Sequence, residues 1–160
     1  MTITLAAIKA EQSKITEMIA AFEAQAAENP EQYRFPETLI TLQPGEHYAG
    51  LVLGKDGESS YHLVLLPGEE EAINWKDAKE WAGKQGCEYE ASLPTRREQS
   101  LLFANLQEQF KSAWYWSSEQ HAAVSDCAWY QTFGSGGQDY YPTGGKLRAR
   151  AVRRLINLPI

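Results

Sequence analysis

The spacing of hydrophobic and polar positions changes several times along the chain. Apolar side chains first recur every seven positions, with Met1, Ile8, Ile15 and Phe22 on one line and Leu5, Gln12, Ile19 and Ala26 on a second. Alanine is abundant here, and no Gly or Pro intervenes before Asn29-Pro30. The pattern predicts one long amphipathic helix over residues 2 to 28 that ends there. Such a seam fits either packing on the chain's own domain or a short coiled coil joining copies into a homo-oligomer, with Gln12 setting the register. Residues 30 to 37, with Pro30 and Pro36, read as a linker.

The pattern then turns to strands. Thr38 to Leu42 reads as a short one, closed by a Pro44-Gly45 turn. Tyr48 to Leu53 and Tyr61 to Leu66 flank a loop whose Asp56-Gly57 is a hairpin signal, and Pro67-Gly68 stops the second run. From Asn74, a candidate N-cap, helical spacing returns with Ile73, Ala78, Trp81 and Ala82 on one face, and Gly83 and Gly86 are read as its end. A second helix is announced by Thr95-Arg96-Arg97-Glu98. There the Thr hydroxyl can accept from the Glu98 N–H while the Glu98 carboxylate reaches back to the Thr95 N–H. Leu101, Leu102 and Leu106 give that helix its apolar side, with Phe103 and Phe110 beside them.

After Lys111 the chain is β again. Trp114 to Ser118 alternates, and so does Trp129 to Phe133, with Trp129, Gln131 and Phe133 expected inward and Tyr130 and Thr132 outward. Leu147 to Val152 is read as a final strand with Arg148 and Arg150 on one face. The expected organisation is an N-terminal helix over 1–29, a linker over 30–37 and an α+β domain over 38–160.

Composition narrows the function classes. A net charge of -6 disfavours generic binding to nucleic acid or anionic membranes. No apolar run approaches the ~20 residues of a membrane span, and the N-terminus does not read as a signal peptide, so cytoplasmic synthesis without membrane insertion is expected. Cys87 and Cys127 are too few for a disulfide framework and stand in no CxxC pair, so they read as thiols, to be bridged only if the fold brings them together. No metal, cofactor or catalytic set is expected. His47, His62 and His121 are isolated; Ser117, Ser118, Asp126 and Cys127 near His121 hold elements of hydrolase chemistry without a nucleophile elbow, which leaves an enzyme as the third reading. Neither GxxxxGK nor GxGxxG occurs.

The stretch from about 117 to 146 reads as a loop rich in Tyr, Ser, Gly and Asp, a composition that supplies rigid contact area on an adaptable frame, as in antibody paratopes. The candidate ligand-binding residues are Tyr130, Thr132, Ser135, Gln138, Asp139, Tyr140, Tyr141 and Thr143, set against the plainer reading of a solvated loop. Arg148, Arg150, Arg153 and Arg154 could hold anions, but pairing with acids of the same domain, such as Glu98 or Glu80, is the structural alternative. Arg96 and Arg97, at a helix N-terminus, call for a carboxylate partner for at least one of them. The five tryptophans are assigned to the core.

Four stretches, YAGLVLGKDGESSYHLVLLPGE, LPTRREQSLLFANL, AWYWSSEQ and KLRARAVRR, resemble in that order a bacterial and phage family of unknown function. It is typified by the C-terminal domain of collagen-like adhesins and is related to the C-type-lectin fold. The resemblance covers about residues 46 to 154. It implies a mostly antiparallel β domain with two flanking helices, and an exposed ligand surface for a protein or glycan between the third and last motifs. It also implies a phage or prophage setting, including association with a virion, and a relation to proteins whose ligand surface is diversified by retroelements. The EPN- or QPD-like and WND tripeptides of calcium-dependent lectins are missing, so calcium-dependent sugar binding is not implied. The alternative is an intracellular phage accessory protein that binds and inhibits a host protein.

Overall fold

The computed structural model describes residues 5–28, 39–86 and 90–156. The chain divides into two units, Met1–Glu37 and Thr38–Ile160. The first contains helix α1, Leu5–Glu28, as the seven-residue spacing predicts. The predicted linker and Cys87 lie outside the described residues.

The second unit is mixed α+β. In chain order it contains β1 (His47–Val52), β2 (Tyr61–Leu65), β3 (Glu70–Ile73), α2 (Trp75–Lys84), β4 (Ala91–Ser92), α3 (Arg96–Leu106), β5 (Trp114–Gln120), β6 (Cys127–Thr132), β7 (Gln138–Pro142), β8 (Leu147–Ala149) and β9 (Val152–Ile156). Two sheets result, ordered β1-β2-β9-β4 and β3-β8-β5-β6-β7. All strand pairs are antiparallel except β5 with β8.

The local signals act as their chemistry dictates. Gly45 adopts φ +81 and Glu46 N donates to Gln43 O at 3.0 Å, closing the Pro44-Gly45 turn. Asp56 (φ 53) and Gly57 (φ 87) form the left-handed tip of the β1–β2 loop, with Glu58 N on Lys55 O at 2.9 Å. Asn74 caps α2 through Asp77 N, and the capping box of α3 is complete. Three expectations fail. Leu39–Leu42 forms no strand; Thr41 O instead accepts from Arg153 Nη2 at 3.4 Å. Helix α2 runs through Gly83 to Lys84, and its C-cap is Gln85, whose N–H donates to Ala82 O at 3.1 Å. The predicted last strand is two: β8 belongs to the second sheet and β9 to the first, and the chain crosses between them at Arg150-Ala151, where Leu66 N binds Ala151 O at 2.9 Å.

Two apolar clusters form the core. One gathers Leu63, Leu65, Val152, Leu102, Tyr115 and Phe133 between the first sheet and α3. The other gathers Trp75, Ala78, Leu93, Trp116, Tyr130 and Ala149. In β9 the neighbours Arg153 and Arg154 point to opposite faces, and each finds a carboxylate. Arg153 holds buried Glu46 by two bonds of 2.8 and 2.7 Å, and Arg154 holds fully buried Glu98 by two of 2.6 and 2.7 Å. Arg148 pairs with Glu69 and Glu71, while Arg150 donates to the carbonyls of Gln109 and Leu66. The arginine row is therefore internal wiring, with Glu98 but not Glu80 among its partners. Glu71 is held down to about 2 by its hydrogen bonds to Lys111 and Arg148.

Candidate binding surface on the edge of the second sheet

Half of the stretch expected to be a loop is sheet. Strand β7 pairs with β6 over five residues, Gln138↔Gln131 to Pro142↔Cys127, and forms the sheet's edge. Its residues Asp139 to Pro142 are all exposed, so no apolar alternation marks it, and Pro142 disguises its end.

The predicted residues separate. Tyr130, expected outward, is buried at 8% exposure, its ring stacked on Trp114 with centroids 4.9 Å apart. Alternation misleads here because both faces of β6 are covered. Trp114 and Trp116 lie over one, and on the other Gln131 donates to Gln99 O in α3 at 3.2 Å. Burial first, then the Asp139 carboxylate, pushes the Tyr130 phenol above its ordinary range. Gln138 is committed internally: its amide donates to Gln131 Oε1 and Arg96 O, each at 2.7 Å, and accepts from Arg96 Nε at 3.1 Å. Thr143 spends its backbone on Asp126 and Trp75, joining the end of β7 to the start of α2. Thr132 is half-buried, and Ser135, Asp139, Tyr140 and Tyr141 are exposed.

The large side chains that remain outside are aromatic. Tyr140 and Tyr141 project to opposite faces of the edge strand and are 44% and 39% exposed. The Tyr140 ring lies 4.3 Å from His121 and edge-on to Trp129 at 5.7 Å, and the Arg96 guanidinium covers Trp129 at 3.5 Å. Arg96 thus meets an aromatic face where a carboxylate was expected; Glu119 binds its backbone N–H instead, at 2.8 Å, and offsets the helix N-terminus. On the other face Tyr141 packs edge-on to Trp114 at 6.0 Å. Trp114 is 45% exposed, which corrects its assignment to the core. A shallow depression beside it is lined by Glu71, Ala113, Lys146, Leu147 and Arg148.

The strand's free edge is guarded. Thr132 N donates to Gly137 O and Thr143 N to Asp126 O, so by alternation Asp139 and Tyr141 turn their backbone groups toward β6. Gln138, Tyr140 and Pro142 face out. Asp139 Oδ1 takes the Tyr140 N–H at 2.8 Å, Pro142 has no N–H, and Gly145 N occupies Pro142 O at 2.8 Å. A partner strand would find one outward donor, Gln138. Recognition here falls to side chains.

No family model matches the chain, and no curated protein matches it in sequence.

The residues considered for catalysis are engaged otherwise. His121 Nδ1 accepts from the backbone N–H groups of Ala123 and Val124 at 3.2 and 3.0 Å. Ser117 is buried, its Oγ accepting from Glu119 N at 3.1 Å. Burial, then Asp126, raises the Cys127 thiol above its ordinary range, the reverse of what an activated nucleophile needs. Among the described residues no group of three His, Cys, Asp or Glu side chains could hold a metal ion, and no helix is long and apolar enough to cross a membrane.

Proposed function

We propose that residues 38–156 are a ligand-binding domain of C-type-lectin-like type, which captures a protein or glycan on the aromatic edge formed by Tyr140, Tyr141 and Trp114. The observation that carries this is the exposure of three large rings toward the β7 side of the second sheet, Tyr140 on one face of the edge strand and Tyr141 with Trp114 of β5 on the other, each braced by aromatic neighbours. Braced rings lose little entropy on contact, and exposed Tyr and Trp anchor many interfaces. The four motifs of the family resemblance fall on the β1–β2 hairpin, α3, β5 and β8–β9, which supports the finer fold assignment.

Tyr140→Ala with Tyr141→Ala tests the reading. Both rings are exposed, so thermal unfolding is expected to move by about 1 kcal/mol or less. Binding to an immobilised glycan panel or to proteins of a source-cell extract is expected to fall by at least tenfold, about 1.4 kcal/mol or more. Retained binding at unchanged stability removes this surface from consideration; loss of folding shows the rings are core.

A further inference from the structure

The first unit carries an apolar seam exposed to solvent. Leu5, Ile8, Ile15, Ile19 and Phe22 are 51% to 72% exposed along α1. At spacings of three, four and seven these five line one side of the helix, with Gln12 among them. Together they present on the order of 500 Å² of apolar surface, so two such helices face to face would bury about 1,000 Å², the threshold for a stable interface.

Charge then selects the orientation. Residues 5–14 carry Lys9, Lys14 and Glu11, a net of +1, whereas residues 15–28 carry Glu17, Glu23 and Glu28, a net of -3. A parallel pair would set the three-glutamate half against its own copy. An antiparallel pair sets it against the basic half. The helix termini agree: α1 has no acidic residue in its first turn and no basic residue in its last, so neither end turn supplies a charge that complements its dipole. An antiparallel neighbour brings acidic residues beside the one end and lysines beside the other.

We propose that α1 joins two copies of the chain as an antiparallel coiled coil, with Ile15 of each facing Ile19 of the other and Gln12 facing Phe22. This stands independently of the ligand reading; with it, each dimer presents two aromatic edges, and capture of a repetitive ligand gains from avidity.

Sedimentation equilibrium of the full chain is expected to give twice the 18.0 kDa chain mass. Ile15→Asp with Ile19→Asp is expected to return a single-chain mass, with the near-UV spectrum of the tryptophan-bearing unit unchanged. Orientation is read by mixing equal amounts of Gln12→Cys and Phe22→Cys chains, oxidising, and mapping the linked peptides. Links between positions 12 and 22 are expected. A monomer or trimer before substitution overturns the proposal, as do 12–12 and 22–22 links or no link between these positions.

Discussion

Glu98→Ala is expected to destabilise the domain by about 3–5 kcal/mol, a large share of the 5–15 kcal/mol typical of a folded domain. Four interactions end on this one carboxylate, which is fully buried. Its oxygens take two bonds from Arg154, one from the Tyr61 hydroxyl at 2.7 Å and one from Thr95 N at 2.7 Å. Alanine would leave Arg154 without its carboxylate, strip the α3 cap and untie α3 from β2 and β9. Chemical denaturation gives the number, and a cycle with Arg154→Ala isolates the pair. A loss under 1 kcal/mol would mean that Arg154 finds water and the hub is not structural.

The same carboxylate sets an acid limit. Burial works against its charge, but Arg154, Thr95 and Tyr61 outweigh it and hold the pKa below the ordinary 4.5. The folded state therefore binds protons less readily than the unfolded one. The stability this contributes is complete above the ordinary carboxylate range and is lost as pH falls through the lowered value. Glu46, bound by Arg153, is lowered too and loses its share in the same direction. Stability of the wild type relative to Glu98→Gln should be flat above about pH 5 and shrink below it. Tyr61, pushed up to about 12 by burial and then by Glu98, stays neutral throughout that window.

Trp116→Ala is the second large effect, an expected loss of about 3–5 kcal/mol. The indole is wholly buried, and its Nε1 donates to Ile73 O at 2.9 Å, tying β5 to β3 across β8. It also lies 6.5 Å from the Tyr141 ring, beneath the exposed edge. Its removal should lower thermal stability and loosen the Tyr141 face together, read as increased hydrogen exchange over residues 138–142. Trp116→Phe, which keeps most of the volume, should recover more than half of the stability.

How much of this was legible depended on range. Thr95 and Glu98, Asn74, Asp56-Gly57 and Pro44-Gly45 act within four residues, and each forms the cap or turn its chemistry requires. The carboxylates of Arg153 and Arg154 lie 107 and 56 residues away, so the sequence names Glu98 as a candidate only by its charge and shows no trace of Glu46. Strand β7 escaped because every residue from Asp139 on is exposed and pairing alone makes it a strand. Tyr130 and Trp114 exchanged roles for a related reason. Alternation separates two faces of a strand, but not whether one of them, both or neither is covered.

The binding edge is tested most directly by photo-crosslinking from its own positions. A benzophenone amino acid would replace Tyr140, Tyr141 or Trp114 in turn, and Tyr48, an equally exposed ring on the first sheet, would serve as the control. After irradiation in a source-cell extract, adducts are expected from 140, 141 and 114. Unlabelled wild type should compete them away, and the Tyr140→Ala/Tyr141→Ala protein should not. Adducts as frequent from position 48, or none from the edge, would contradict the account.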